Sequence, residues 1–339
     1  MRISALPFVL AIAIGSGAAG APPPAAELVR LDEAFRIAER LGPRVWPDFT
    51  ADEAPVLLLA NEREYLLNTP GGAEGFEPVN ARFRGRGVFA RAKVFPPGLE
   101  ASFPAIGREC VVIGTAEATG KSGARWTLIV LHELFHVFQA EHLGLGERVS
   151  KLSIAKDPSG QWQLDHPFPY REPSIGRALH VVGYGLFRTL ESSADRAYQA
   201  EVAAESLETL LDLLAALHPD EGHGEYLRFA ATKEGLARWF EYRIAREAAA
   251  AWEPSPRFSE LEGADAFARV WEESYAALPN QIKHLGRVSR SRSEFYNLGL
   301  GLALVLDQID PAWQARLSDA WLDRAFLDSV AAARPAASP

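Results

Sequence analysis

The amino-acid sequence predicts an α+β fold: an N-terminal mixed α/β sheet lobe, followed by a mostly helical C-terminal lobe. Two patterns lead to this prediction. Short β-rich apolar runs, such as VFARAKVF and ECVVIG, occur in the first third of the chain and are separated by proline and glycine. From residue 175 onward, apolar residues instead recur at the three- to four-residue spacing of helices.

In the N-terminal part, one amphipathic helix and several strands are expected. Apolar residues recur at helical spacing over residues 27–41, and the Gly42–Pro43 pair is expected to end this helix. Residues 61–67 are predicted to form one or two helical turns. The predicted strands lie at residues 55–60 and within residues 86–95 and 101–114.

The chain changes character after residue 143. A hairpin is predicted at residues 152–164, followed by a proline-rich loop at residues 167–173. Helices are then predicted at residues 175–191, 194–217, 226–252, 265–278, 293–309 and 312–330. The predicted segments are a signal peptide (1–21), an α/β lobe (22–145), an inserted hairpin and helical segment (146–233), a helical lobe (234–330) and a disordered tail (331–339).

The first residues have the layout of a secretory signal peptide. Arg2 supplies positive charge, an apolar run follows at residues 6–14, and residues 19–21 form an acceptable cleavage tripeptide. No later apolar stretch is long and charge-free enough to span a bilayer. The mature protein is therefore expected to be secreted or periplasmic, without a membrane association after signal removal. An uncleaved N-terminal anchor is the alternative.

Composition excludes several kinds of partner and site. The net charge is −9 and there is no long basic or acidic run, so nucleic acid is not expected as a partner. Arg287, Arg290 and Arg292 lie in a short serine-rich stretch that is typical of a solvated loop. Cys110 is the only cysteine, so neither an intramolecular disulfide nor a cysteine metal cage is possible.

The segment from Trp126 to His142, WTLIVLHELFHVFQAEH, contains an H-E-x-x-H motif at His132, Glu133 and His136. On a helix, residues four apart lie on one face, so both imidazoles can bind one metal ion. Glu133 lies about 100° around the helix from His132, within reach of a water held by that metal. Zinc suits this set because it binds imidazole nitrogen and tolerates an open fourth position. Since the flanking residues are apolar on nearly every face, the helix is expected to be buried.

The third metal ligand has more than one candidate, and His142 is the nearest in sequence. Its spacing matches the pattern H-E-x-x-H-x-x-G-x-x-H. That pattern needs a glycine so that the chain can turn back to the metal, but Gln139 stands at this position and helix formers follow it. His142 is therefore expected to point away from the metal. The other candidates are acids in the second half of the chain, Glu234 and Glu241.

The segment KEGLARWFEYR resembles the E-G-[FL]-A-x-[YW]-x-E-Y segment of the gluzincin zinc peptidases, notably the aminopeptidase N family. The resemblance implies that Glu234 is the third zinc ligand and that Glu241 is a nearby acid on the same helix face. Glu241 as the ligand stays open as the alternative. The segment FYNLGLGLA resembles the Y-x-x-G-x-x-x-L segment of the same family. This implies that Tyr296 donates a hydrogen bond to the developing oxyanion; a core aromatic is the alternative.

The resemblance covers three short segments, and the chain departs from the family in two ways. The family places its third ligand close in sequence to the second histidine, whereas Glu234 follows His136 by 98 residues (234 − 136). The extra residues are interpreted as an inserted lobe beside the cleft. The amine-binding G-x-M-E-N motif is absent, since Met1 is the only methionine. Aminopeptidase specificity is therefore not implied.

Together, the motif and the resemblance predict a secreted zinc metallopeptidase with its zinc cleft between the two lobes. The three ligands would hold one Zn²⁺ per chain, and Glu133 would activate the water that attacks the peptide bond. Tyr296 would stabilise the oxyanion, and Glu241 would orient a ligand imidazole. The expected partner is a peptide or protein substrate; the oligomeric state is not predicted. The alternatives are an extracytoplasmic zinc-binding scaffold without turnover, and a helical protein with an accidental motif.

Overall fold

The computed structural model describes residues 20–157, 160–217 and 220–333, so nearly all of the predicted signal peptide lies outside the described residues. The α+β prediction is confirmed: a six-stranded mixed sheet in the N-terminal half precedes a mostly helical C-terminal half. The strands are β1 (Val56–Ala60), β2 (Arg63–Leu67), β3 (Glu77–Phe83), β4 (Arg86–Ala92), β5 (Glu100–Phe103) and β6 (Cys110–Gly114).

Thirteen α-helices are found among the described residues. They are α1 (Ala25–Val45), α2 (Ala116–Thr119), α3 (Gly123–Glu141), α4 (Leu145–Ser150), α5 (Trp162–Asp165), α6 (Pro173–Glu191), α7 (Arg196–Leu217), α8 (His223–Ala251), α9 (Pro256–Ser259), α10 (Phe267–Ser274), α11 (Leu278–Ile282), α12 (Ser293–Ile309) and α13 (Leu322–Ala333). A 3₁₀ helix at Trp313–Ser318 precedes α13. Of these helices, none combines the length and apolar character needed to cross a bilayer.

The sheet has the strand order β3-β4-β2-β1-β6-β5. Only β1 and β6 pair in parallel, while the other neighbouring strands pair antiparallel. Because side chains alternate across a strand, Val56 and Leu58 join the main core, whereas Leu57 and Leu59 join a smaller apolar cluster on the opposite face. Because both faces of β1 and β6 are covered, every residue of these strands is buried, and their sequences are continuous apolar runs.

Helix α3 follows β6 and is held by contacts at two points along its length. At its start, the Trp126 indole N–H donates a 2.8 Å hydrogen bond to the Gly114 carbonyl at the end of β6. Further along, the Phe135 ring stacks on the Phe240 ring of α8, with 4.4 Å between the centroids, and Phe49 packs on Phe240 at 4.6 Å. This aromatic cluster fixes α3 against α8, the helix that carries Glu234.

Helix α8 also packs closely against α12, at a point where both helices have glycine. A Cβ atom added to Gly235 would overlap the backbone of Gly299. Only hydrogen in place of a side chain lets the two helix backbones approach this closely. This contact lies one residue from Glu234 and three residues from Tyr296, so it sets the distance between them.

The prediction of helical turns at residues 61–67 is wrong: residues 63–67 form β2, and residues 61–62 form a turn. β2 pairs antiparallel with β1, and Ala60 lies opposite Arg63. Asn61 and Glu62 connect the two strands with φ values of 50° and 58°. Two consecutive residues with positive φ are typical of a tight two-residue hairpin turn. β3, which was not predicted, lies at the edge of the sheet with mostly exposed side chains, so its apolar signal is weak.

Four further segments differ from the sequence-based expectation. The described residues of 152–164 form turns and the helix α5 instead of a hairpin, because Trp162 packs on Phe229 with 4.9 Å between ring centroids. Helix α1 continues through Pro43 to Val45, which is buried. Helix α13 extends through Ala333, three residues into the predicted tail; residues 334–339 lie outside the described residues. Helix α8 also crosses the expected segment boundary at 233/234.

The α8–α12 contact predicts that Gly235→Ala is strongly destabilising. The added methyl group must push the helices apart, which we expect to lower the free energy of unfolding by about 1–3 kcal/mol. Gly224→Ala, on the same helix, is the matched control: nothing lies within 4 Å of an added Cβ there, so it should be neutral or slightly stabilising. Urea denaturation of both variants measures the difference, and equal stability would contradict the close contact.

Candidate metal centre

Two histidines from α3 and one glutamate from α8 converge in the interior. One ligand atom from each of His132, His136 and Glu234 lies within 4.8 Å of the others, and all three residues are buried. Glu234 Oε2 lies 3.3 Å from His136 Nε2 and 3.9 Å from His132 Nε2. These three residues could hold a metal ion. Glu234 lies within α8, the helix predicted at residues 226–252.

The His132 ring is held from behind by Glu241. Glu241 Oε2 lies 3.2 Å from His132 Nδ1, and the Tyr275 hydroxyl donates to Glu241 Oε1. Arg125 and Arg238 lie 3.5 Å and 3.6 Å from the same carboxylate. Burial would raise the pKa of Glu241, but its bond to His132 and the charge of Arg238 outweigh burial and lower the pKa to about 2. Glu241 is therefore ionised and accepts the Nδ1 proton, which leaves Nε2 facing the triad.

The His136 ring is held in the same way by Gln139, a residue whose role the sequence analysis missed. His136 Nδ1 lies 2.8 Å from Gln139 Oε1. The Gln139 amide nitrogen donates to the backbone carbonyls of Thr232 and Lys233, at 3.2 Å and 3.1 Å. Since these carbonyls can only accept, the amide oxygen must face His136 and accept its Nδ1 proton. Gln139 thus directs His136 Nε2 to the triad and joins α3 to α8.

Glu234 is held by Arg292, which the sequence analysis had placed in a solvated loop. Arg292 Nη2 donates to Glu234 Oε1 at 2.7 Å and to the Tyr296 hydroxyl oxygen at 2.9 Å. Its side chain is only 28 % exposed. Burial alone would lower the pKa of Arg292, but the Glu234 carboxylate raises it, so the guanidinium stays charged. With Oε1 engaged by Arg292, Glu234 Oε2 is left to face the imidazoles.

Tyr296 lies on α12, beside the triad. Its ring is nearly parallel to that of His132, with an interplanar angle of 11° and 6.4 Å between the centroids. Burial, and next the Glu234 carboxylate, raise the pKa of Tyr296, and a hydrogen bond to Glu234 raises it further. The phenol is therefore protonated, and its oxygen accepts from Arg292.

Of the three residues that define the H-E-x-x-H motif, only Glu133 has a buried side-chain atom without a hydrogen-bond partner in the described residues. Its side chain is buried, at 7 % exposure, and its Oε2 has no hydrogen-bond partner in the described part of the chain. Buried polar atoms are nearly always paired, and exceptions are common at functional sites. A buried carboxylate oxygen without a partner in the protein can accept a hydrogen bond from a water molecule or a substrate.

The electrostatics of the site fit a cation. Burial would lower the pKa of His132, yet its bonds to Glu234 and Glu241 outweigh burial and raise the pKa to about 10. The surrounding carboxylates therefore favour positive charge between the rings. Two imidazole nitrogens and one carboxylate oxygen form a donor set that suits zinc with one open position.

His142 does not join this group. It is exposed at the C-terminal cap of α3, and its ring stacks on Phe138 with 5.1 Å between the centroids. Because Gln139 continues the helix, as expected, the chain does not turn back at that point.

Of the supporting residues missed by sequence reasoning, three carry a local signal. Gln139 follows His136 by three residues, Arg238 precedes Glu241 by three, and Arg292 precedes Tyr296 by four. The contacts of Tyr275 with Glu241 and of Arg292 with Glu234 instead join residues 34 and 58 positions apart. No spacing rule relates such positions.

Comparisons with protein-family profiles, with curated proteins and with solved structures give no match to this chain. The site is therefore interpreted from its own residues.

The triad predicts one divalent metal ion per chain, bound by His132, His136 and Glu234. His132→Ala and Glu234→Ala should each lose the metal, because two remaining ligands do not hold it against dialysis. His142→Ala is the matched control and should keep a full equivalent. Elemental analysis by mass spectrometry measures both the amount and the identity of the metal. Metal loss in the His142 variant equal to that in the others would instead indicate a ligand at the end of α3.

Proposed function

We propose that this protein is an extracytoplasmic zinc-dependent metallopeptidase of the gluzincin type, with its cleft between the sheet-bearing and helical halves. One observation carries the proposal: the unpartnered carboxylate oxygen of Glu133 is buried beside a triad of two imidazoles and one carboxylate. Holding a metal ion requires only the triad. A buried base beside it is required for hydrolysis.

Zinc bound by the triad supplies Lewis-acid chemistry, polarising a carbonyl group and lowering the pKa of a bound water towards 7. The remaining work falls to the side chains of this chain. Glu241 and Gln139 hold the two imidazoles in the tautomer that presents Nε2. Arg292 holds the outer oxygen of Glu234 and so fixes the third ligand.

Glu133 acts as the general base and then as the general acid. As the water oxygen bonds to the peptide carbon, Glu133 accepts the water's proton. When the carbon–nitrogen bond breaks, Glu133 passes this proton to the leaving amine. One proton is accepted and one is returned, so the carboxylate is regenerated. Its buried position keeps bulk water from competing for that proton.

Tyr296 stabilises the negative charge that develops on the carbonyl oxygen. Its phenol is protonated, and its oxygen accepts from Arg292. The phenol hydrogen, which is within hydrogen-bonding reach of Glu234, would turn to the carbonyl oxygen of the substrate. The adjacent positive charge of Arg292 makes this hydrogen a stronger donor. Such a donor acts mainly in the transition state.

The extracytoplasmic location rests on the positive, apolar and small-residue layout of residues 1–21. Sequencing the mature N-terminus of the secreted or periplasmic protein checks it; a protein that still begins at Met1 in the cytoplasm would contradict it.

Glu133→Gln should keep the metal and abolish hydrolysis. The amide has the shape of the carboxylate but cannot accept the water's proton. The assay is digestion of a broad peptide library, followed by kcat on the best substrate, with metal content measured on the same samples. Glu141→Gln, an exposed position on the same helix, is the control and should stay active.

Turnover by the Glu133 variant at near the wild-type rate would show that Glu133 is not the base. A wild-type protein that binds zinc but cleaves no peptide would favour the alternative, a zinc-binding scaffold without turnover.

Tyr296→Phe should lower kcat by about 10²–10³-fold with little change in KM. Because Arg292 retains its bond to Glu234, the free energy of unfolding should fall by no more than about 1 kcal/mol. The matched control is Tyr184→Phe, a substitution at an exposed tyrosine. Unchanged kcat together with a lower melting temperature would make Tyr296 a core aromatic.

A further inference from the structure

A second concave site lies beside the metal centre and carries a strong positive charge. Its cavity has a volume of about 510 Å³ and lies between α6 and the loop of residues 286–292. Four arginines line it: Arg171, Arg177, Arg287 and Arg290. The single acid among the lining residues is Glu172, so the formal charge of the lining is +3 (4 − 1). This contrasts with the net charge of −9 for the whole chain.

None of these four guanidinium groups has a hydrogen bond or an ion pair within the described part of the chain. Other arginines of the molecule do pair: Arg84, Arg91 and Arg243 each contact a carboxylate. Like charges gathered in a concave wall repel one another and focus a positive potential on the space between them. Burial lowers the pKa of the lining residue His180, and the charge of Arg287 lowers it further.

The loop that carries two of the arginines has a fixed conformation. The buried carboxylate of Glu294 accepts hydrogen bonds from the backbone N–H groups of Gly286, Ser289 and Arg290, at 2.9, 3.2 and 3.0 Å. Arg290 itself has a positive φ of 45°, a conformation that is unfavourable for a residue with a side chain. The backbone positions of Arg287 and Arg290 are thus fixed, while all four arginine side chains are exposed at the cavity wall and accessible to a ligand.

The cavity lies close to the candidate metal centre. Arg290, which lines it, is two residues from Arg292, so their Cα atoms are separated by at most about 7 Å. The Arg292 side chain in turn donates to Glu234 and Tyr296. Tyr170, another lining residue, packs on Phe295, the neighbour of Tyr296 in the chain, with 5.6 Å between ring centroids. A peptide bound at the metal centre therefore needs only a few more residues to reach the arginines.

We infer that the arginine cavity binds an acidic segment of the peptide substrate, so that the enzyme selects peptides with clustered Asp or Glu residues on one side of the cleaved bond. The part of this inference that concerns cleavage rests on the proposed peptidase function. Four arginines from two separate elements match several carboxylates spread along a chain better than they match one small anion. The cavity volume is also in the range of sites that enclose several ligand groups.

The binding test uses the full-length, zinc-loaded Glu133→Gln protein, which binds without cleaving. Fluorescence anisotropy compares a labelled peptide that contains an Asp/Glu run with the same peptide carrying Asn/Gln. The acidic peptide should bind about tenfold or more tightly at low salt, and the difference should shrink as salt screens the charges. Adding Arg177→Gln with Arg287→Gln should remove about tenfold of that affinity and leave the amide peptide unaffected.

Arg188→Gln is the matched control, because this exposed arginine lies on α6 outside the cavity lining. It should leave binding of the acidic peptide unchanged. Equal affinity for the acidic and amide peptides, or full affinity in the double variant, overturns the inference. Inorganic phosphate is titrated in parallel: phosphate binding that requires Arg177 and Arg287, without competition from the acidic peptide, would make this a small-anion site and also overturns it.

The wild-type enzyme separates this inference from the proposed function. Peptides with an Asp scanned along both sides of the scissile bond should show a kcat/KM maximum on one side, and the double variant should flatten it. Acidic peptides that bind but are never cleaved would support the cavity and contradict the peptidase proposal. Cleavage without any acidic preference would support the peptidase proposal and overturn the cavity inference.

Discussion

The packing of α3 against α8 is the constraint on which the rest of this structure depends. The two histidines are only four residues apart, but Glu234 is distant in sequence and reaches them only because these helices lie side by side. The stacked rings of Phe135 and Phe240 hold the helices together, each ring directly preceding a residue of the site: His136 in one case and Glu241 in the other. Apolar packing and the polar site are thus set by the same two helices.

Burying so much charge between two helices is unfavourable unless every group has a partner. Each element of the site therefore has its own support. Glu241 is surrounded by Tyr275, Arg125 and Arg238, while Gln139 uses both ends of its amide, one for His136 and one for the α8 backbone. Among the carboxylates of the site, only Glu133 keeps a buried oxygen without a hydrogen-bond partner in the described residues. This oxygen is the feature on which the proposed chemistry depends.

Residues 146–233, which the sequence suggested to be an inserted lobe, include the first part of α8. The Gln139 amide nitrogen of α3 donates to the backbone carbonyls of Thr232 and Lys233 in this part of α8. The segment thus supplies backbone groups that hold Gln139 beside His136. It also supplies α6, one wall of the arginine cavity.

Local order in the sequence determined the α+β class, the buried helix α3 and the pairing of His132 with His136, because these depend on periodicities of two to four residues. Gln139 was within reach of the same reasoning through its three-residue spacing from His136. The β1–β2 turn was not, since positive φ at Asn61 and Glu62 is a conformation that those residues adopt only when the strands pair.

The tertiary structure alone decided how the remaining groups meet. Arg292 lies in a serine-rich stretch typical of a solvated loop, yet the Gly235–Gly299 contact brings α12 close enough for it to bind Glu234 and Tyr296. Tyr275 reaches Glu241 from the connection between α10 and α11. The spacing of residues in the sequence determines which side chains share a helix face. The distance between two such faces depends on how closely the helix backbones approach, and this is set by residues far apart in the chain.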